Sequence, residues 1–211
     1  MAINILRIGL LITTAQFFFS ASCNKEKTSC LSSSVTYSFD ATAEWTQQRE
    51  VYNIGDTIYL YSMFPKNLLD KISNVSVDYS NSVGVQGDIR INYLDTISRQ
   101  AQPAKDSFNF HPVIGTFSAR PVNQNQGINF NYSETTSNYE FRGAIICRKK
   151  GVYGIGLADN ISNGLRGKNC TKAAFSMIVT NNEKHFNLYQ YALGFPPDAD
   201  AIKRGYCFRV Q

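Results

Sequence analysis

The sequence predicts a mainly β fold: an antiparallel β-sandwich of about eight to nine strands, with one or two short helices before the last strand. Three observations carry this expectation. Apolar and aromatic residues recur at every second position in one short segment after another, the period of a strand with one buried face. Clusters rich in Gly, Asn, Asp and Ser separate these segments. Aromatic residues are abundant, with 12 Tyr and 14 Phe against a charged fraction of 18%, a balance that suits pleated, half-buried surfaces.

The N-terminal stretch carries one basic residue, Arg7, then an apolar core from Ile8 to Phe19 and the small residues Ser20, Ala21 and Ser22, the order of a signal peptide over residues 1–22. The apolar core is about a dozen residues, short of the roughly 20 that span a bilayer, and no later segment is as long, so no transmembrane helix is expected. Two processing readings compete. Ser20 and Ser22 would allow an ordinary cut before Cys23 and release a soluble secreted protein. "SASCNKEKTS" instead has the form of a bacterial lipoprotein signal, with Cys23 acylated and a polar tether over 23–34, although Ser20 stands where an aliphatic residue is usual.

Cysteine arithmetic favours the second. Five cysteines leave one unpaired in an oxidising compartment, and giving Cys23 to lipid leaves Cys30, Cys147, Cys170 and Cys207 as candidates for two disulfides. Three connectivities are open, and buried free thiols are the alternative, notably at Cys147 within the apolar run "AIICR". With no C-x-x-C and two His, no metal site is expected, and no cofactor.

The mature chain of about 189 residues suits one domain, taken as 35–211. The net charge of +5 is scattered except for Arg148, Lys149 and Lys150, which precede Gly151 as a solvated turn would, so no nucleic-acid partner is expected.

Along the domain, "VTYSFDATAEW" (35–45) reads as the first strand. "TIYLYSMF" (57–64), "VSVDY" (75–79) and "IRINYL" (89–94) follow with clear alternation, then a less regular "NFHPVIGTFSA" (109–119). "INFNY" (128–132), "YEFRGAIIC" (139–147), "VYGIGLA" (152–158), "FSMIV" (175–179) and "YCFRV" (206–210) complete the set. "SRQAQPAKDS" (98–107) is polar and without apolar spacing, and reads as a mobile loop. A helix is expected from Glu183 to Ala192, capped by Asn181 or Asn182, with Phe186, Tyr189 and Leu193 on one face and Gly194 as its stop. A shorter one is expected in "DADAIKRG", capped by Asp198 and ended by Gly205.

A Cys-anchored polar tether, "YNIGDTIYLYSMFP" (52–65), "GVYGIGLAD" (151–159), a late helix and a terminal "YCFRV" together resemble the small outer-membrane lipoproteins of Bacteroidota that carry an immunoglobulin-like β-sandwich. The resemblance implies an immunoglobulin-like topology in which Tyr153 acts like a tyrosine corner. The chain departs from that pattern in having no cysteine in "TIYLYSMF". The resemblance also implies O-glycosylation at Asp-Thr-Ile, which occurs twice, making Thr57 and Thr96 candidate sites. It places the protein in the cell envelope, tied to the outer membrane through Cys23, with the leaflet open. Asn24 after the anchor is compatible with that destination. The sequons at Asn74, Asn131, Asn160 and Asn169 would matter only in a eukaryotic secretory protein.

No catalytic residue is singled out. His111 and His185 lack any motif around them, and G-x-S-x-G, H-E-x-x-H and the P-loop are missing. Aromatic residues in "NFNYSETTSNYEF" and "HFNLYQY" point instead to binding, of a glycan or of another envelope protein. The sequence therefore favours a non-catalytic binding, accessory or structural module. A carbohydrate-active hydrolase with an unidentified carboxylate pair is the alternative.

Overall fold

The computed structural model describes residues 35–119, 127–162, 172–180 and 183–211. The signal peptide, Cys23 and its tether, Cys30, Asn169, Cys170 and the cap candidates Asn181 and Asn182 lie outside the described residues. In chain order the strands are β1 (Val35–Thr46), β2 (Val51–Tyr52), β3 (Thr57–Pro65), β4 (Asn67–Leu69), β5 (Ser76–Asp78), β6 (Gln86–Asp95) and β7 (Gln100–Pro103). Then come β8 (Phe108–Ile114), β9 (Thr116–Ala119), β10 (Gly127–Asn131), β11 (Ser133–Glu134), β12 (Asn138–Cys147) and β13 (Gly151–Ala158). The last third holds β14 (Asn160–Ser162), β15 (Lys172–Val179), helices α1 (Phe186–Leu193) and α2 (Ala199–Arg204), and β16 (Gly205–Val210).

Two seven-stranded sheets form the expected sandwich. One runs β11-β12-β3-β1-β15-β14, with β8 also on β12; the other runs β2-β16-β13-β6-β10-β9, with β7 also on β6. Each alternating segment of the sequence coincides with or overlaps a strand, with Val75, Tyr79 and Tyr132 just outside β5 and β10 and Gly115 dividing 109–119 between β8 and β9. The direction of pairing is mixed: β1 lies parallel to β15 and β16 parallel to β2, while the other pairs are antiparallel. Period-two alternation fixes which face is buried and leaves the direction of the neighbour open. The chain changes sheet between β8 and β9 at Gly115, whose φ of +82° suits glycine and where a Cβ would come within 2.8 Å of Phe141 Cδ2.

Aromatic side chains from both sheets fill the space between them. Phe130 of β10 meets Phe141 of β12 at 4.3 Å between ring centroids, and Phe108 of β8 meets Tyr153 of β13 at 4.9 Å. Each such pair contributes about 0.5–1.5 kcal/mol beyond its burial. Phe130, Tyr139 and Phe141 are buried in this core, so the rings of "NFNYSETTSNYEF" hold the sandwich together and form no exposed platform. The hydroxyls find partners inside. Tyr132 and Ser62 share a hydrogen bond of 2.8 Å, Tyr139 donates to the Tyr79 carbonyl at 2.8 Å, and Tyr79 bonds to Ser162. Tyr153 donates to the Lys149 carbonyl at 3.0 Å across the β12–β13 turn, the bond expected of a tyrosine corner.

Three further expectations change. The segment 98–107 is ordered: β7 pairs with β6, and a 3-10 turn follows over Lys105–Ser107. All four residues of β7 are exposed, so an edge strand wet on both faces leaves no apolar period to detect. Helix α1 starts at Phe186, after His185 in the left-handed region, with Glu183 and Lys184 outside it. Its buried stripe is Leu188, Ala192 and Leu193, while Phe186 and Tyr189 flank it; α2, by contrast, has the predicted Asp198 cap, whose carboxylate accepts from Ala201 N at 2.7 Å.

The third change concerns cysteine. Cys147 and Cys207, expected in disulfides, are buried free thiols. Cys147 packs in the core between the sheets, whereas Cys207 points from the opposite face of β16 into a second apolar cluster with Leu94, Val152 and α1. Burial pushes both thiols up to about 12, with the Asp56 carboxylate adding to the effect at Cys147. The thiolate that attacks or oxidises is thereby disfavoured.

Asp70 organises the turn joining β4 to β5. Its carboxylate accepts from Ser38 N at 2.7 Å, Ser73 N at 2.8 Å and Ser73 Oγ at 2.6 Å. Burial alone would raise this carboxyl, but the hydrogen bonds from Ser73, Ser38 and Ile72 outweigh it and hold it at about 2, below the usual 3.8.

Two outcomes follow from these groups. Cys147 and Cys207 should resist iodoacetamide in the native protein at neutral pH and both label after unfolding without reductant; protection in the unfolded chain would restore the disulfide assignment. Because the folded Asp70 value is depressed, its network stabilises fully above about pH 4 and is lost as pH falls through about 2. The gap in melting temperature between the natural protein and Asp70→Asn should therefore be constant above about pH 5 and narrow steadily toward pH 2.

Candidate functional site

Strand β13 alternates between two environments. Tyr153, Ile155 and Leu157 face the core, and Gly154 and Gly156 face outward. A Cβ at either glycine would touch neighbours only at ordinary distances of 3.7 Å or more. Neither glycine is thus forced by close packing, and together they leave open space above the sheet. Arg90, Asn92 and Leu94 of β6 flank this floor on one side, and Gly205 and Cys207 of β16 on the other.

The two helices make the walls. Helix α1 packs Leu188, Ala192 and Leu193 against Leu94, Val152 and Cys207, which brings the half-buried Phe186 and Tyr189 rings to the rim. Helix α2 is held at its start by the Asp198 cap. At its end the Lys184 ammonium donates to the Ile202 carbonyl at 2.7 Å, one of the carbonyls a helix leaves without an internal partner. Between sheet and helices lies a cleft of about 530 Å³.

Its polar lining is a set of charges already partly engaged. Arg204 reaches Asp159 Oδ2 at 2.9 Å and Asp200 Oδ1 at 3.7 Å. Asp159 also accepts from Met177 N at 3.0 Å through its other oxygen, so the residue where the chain leaves β13 for the other sheet fixes both β15 and the guanidinium. Arg90 Nε lies 3.3 Å from Asp88 Oδ2. Arg204 Nε is buried with no hydrogen-bond partner among the described residues.

Thr57, Thr96, His111, Cys147 and His185 lie outside this lining, whereas Cys207 and Gly205 sit in the floor, Asp198 lines the α2 side, and Phe186 and Tyr189 of "HFNLYQY" line the α1 side. Thr57 opens β3 half-buried, opposite Ile146. Thr96 is exposed at the β6–β7 turn, where Asp95 accepts from Ile97 N at 2.8 Å and Ser98 Oγ at 2.7 Å. His111 is exposed on β8, and His185 precedes α1 with its ring 5.8 Å from that of Tyr206. Among the described residues no group of three or more His, Cys, Asp or Glu is placed to hold a metal. Sequence reasoning missed Arg90, Asp159, Asp200 and Arg204. The signal that could have found them is the Gly-Ile-Gly in "VYGIGLA", which alternates a core residue with two missing side chains.

No protein-family model and no curated protein matches the chain. Among solved structures, the chain is similar to a cohesin module from a Clostridium perfringens ATCC13124 family 33 glycoside hydrolase, at 5% identity and a TM-score of 0.32, covering 66% of this chain and 98% of that one. AvmM, which catalyzes macrocyclization in alchivemycin A biosynthesis, gives 9% identity and a TM-score of 0.28 over 69% of this chain and 92% of that one. The reeler domain of human F-spondin gives 6% identity and 0.26, over 70% and 94%. At these scores the likenesses carry no functional argument.

The wall formed by α2 depends on its cap. Asp198→Ala should cost about 1 kcal/mol, read as a melting temperature lower by roughly 2–4 °C. Asp198→Asn, which caps as well, should leave it unchanged.

Proposed function

We propose that this protein is a lipid-anchored cell-envelope module that binds a short glycan in the cleft over β13, without chemical turnover. The cleft is the observation that carries the reading. Its volume lies within the ~300–1,000 Å³ of small-molecule sites, which combine a few placed polar groups with apolar and aromatic walls. Asp159, Asp200, Arg204 and Asn92 supply paired acceptors and donors of the kind that engage neighbouring hydroxyls. Phe186 and Tyr189 supply flat apolar surface for the carbon face of a sugar ring.

The anchor rests on the N-terminal sequence: a short apolar core, small residues, then Cys23 and a polar tether. The outer membrane is the destination that the family resemblance and Asn24 favour. An O-glycan on the protein itself would be carried at Thr96, the more exposed of the two Asp-Thr-Ile sites.

A second reading has a specific observation behind it. Asp159, Asp198 and Asp200 line one cleft, and a pair of carboxylates is what glycoside hydrolysis uses. Product formation separates the two readings.

The mature protein should bind a subset of envelope-type oligosaccharides on a glycan array. Gly154→Leu and Gly156→Leu, which fill the cleft from its floor, should each weaken that binding at least tenfold by calorimetry while keeping the melting temperature within a few degrees. Unchanged binding by both variants would remove the cleft from the reading, and time-dependent release of shorter sugars, lost in Asp200→Asn, would replace it with the hydrolase. Peptide mass mapping of protein from its native envelope should find diacylglycerol and an N-acyl chain on Cys23. An unmodified N-terminal Cys23 would leave a soluble secreted protein.

A further inference from the structure

The turn between β4 and β5 presents three large apolar side chains to solvent: Leu69 is 59% exposed, Ile72 66% and Val75 57%. Turns are ordinarily built from polar residues, Gly and Pro, so this group is unusual. The register of the hairpin pairs Leu68 with Val77 on the side that packs on the core, which leaves Leu69 on the other. Rigidity is built in. Besides the bonds to the Asp70 carboxylate, Asn74 N donates to the Asp70 carbonyl at 2.8 Å with Asn74 in the left-handed region, and Asp70 N donates to the Val75 carbonyl at 2.9 Å. Lys71, the only cationic residue in the turn, is ion-paired with Asp40 at 2.8 Å.

This turn is fastened to the beginning of β1. Ser38 N donates to Asp70 Oδ1 at 2.7 Å and Lys71 N to the Ser38 carbonyl at 2.8 Å. Val35, where β1 begins, is itself exposed. The chain between Cys23 and Val35 is about 12 residues and reaches at most ~43 Å when fully extended. A tether of that length holds whatever lies beside Val35 near the surface to which Cys23 is attached. Contacts too weak to act in free solution are populated under such tethering, because the effective concentration is high.

We infer that the 69–75 turn is a membrane-contact point, which seats Leu69, Ile72 and Val75 in the headgroup region of the bilayer that carries the anchor. The inference rests on the lipid-anchor reading and adds orientation to it. With the tether at one point and the turn at a second, the domain no longer pivots freely, so the cleft is held in one attitude to the membrane. A preformed turn loses little conformational freedom on insertion, which suits a contact made by only three side chains.

The test uses the full mature chain with Cys23→Ser and an N-terminal hexahistidine tag in place of the acyl anchor. The chain is bound to vesicles of phosphatidylethanolamine, phosphatidylglycerol and a nickel-chelating lipid, with dibrominated phosphatidylcholine as quencher. Trp45 is buried and supplies a constant background, against which Ile72→Trp reports the turn and Ile97→Trp, at an exposed position on the β6–β7 turn, the control. Quenching of the Ile72→Trp emission at least threefold stronger than that of Ile97→Trp, with a blue shift, is expected. It should fall by at least half when Leu69 and Val75 are both changed to Ser. Equal or weaker quenching at Ile72 overturns the inference, as does a blue shift that depends on protein concentration without quenching, the mark of contact with a second copy. Because the tag replaces the acyl chain, the outcome is independent of the Cys23 mass measurement, and either can fail alone.

Discussion

The alternation of strand β13 is the constraint on which both the fold and the site depend. A strand at the middle of a sheet sends successive side chains to opposite faces, and here the two faces have different work. Tyr153, Ile155 and Leu157 complete the core on one side. On the other, Val152 seats α1 while Gly154 and Gly156 supply no bulk. Side chains at those two positions would fill the cleft. Glycine in a strand interior weakens it by sacrificing packing and backbone entropy, and β13 is supported against that loss by pairing on both edges, with β16 and β6.

The core answers a second constraint, set by composition. Tyrosines bring large apolar rings together with hydroxyls that cannot be buried alone. Tyr52 and Tyr206 share a hydrogen bond of 2.9 Å, and Tyr206 also reaches the Arg49 carbonyl. Tyr132 bonds to Ser62, which in turn donates to the Thr42 carbonyl at 2.7 Å. Burial raises the Tyr132 and Tyr206 hydroxyls far above their ordinary range, which favours their neutral, hydrogen-bonding form. These bonds tie loops and strand ends to particular rings, which gives an aromatic interior a defined register that dispersion alone would leave loose.

How much of this was legible in the sequence follows from what each signal encodes. Strands with an alternating buried face were read directly: residues 57–64, 139–147, 152–158 and 206–210 all fall within strands. The edge strand β7 was not, because neither of its faces is buried. The two parallel pairings were not either, since pairing partners are chosen by long-range packing. The Asp198 cap was local chemistry and was read correctly. The start of α1 was not, because its face is set by Leu94, Val152 and Cys207, which lie far away in the chain. The cleft failed for a related reason. Its charged groups come from β6, from the corner after β13 and from α2, which adjoin only once the sheet is built.

The cysteines show why parity is a weaker argument than surroundings. Counting gave four candidates for pairing, but Cys147 and Cys207 occupy two separate apolar clusters on different faces. Each behaves as a small hydrophobe in a strand whose neighbours are apolar. Cys207 carries the further consequence that the floor of the cleft and the support of α1 are one surface: its sulfur lies within van der Waals reach of a Cβ at Gly154, at 3.8 Å, on the same patch that Leu188 and Ala192 cover. The helix that walls the cleft is therefore held by apolar contacts adjoining those that line it. Widening the floor weakens the wall, and filling the floor closes the site, so the size of the cleft is coupled to the seating of α1 through residues that touch both.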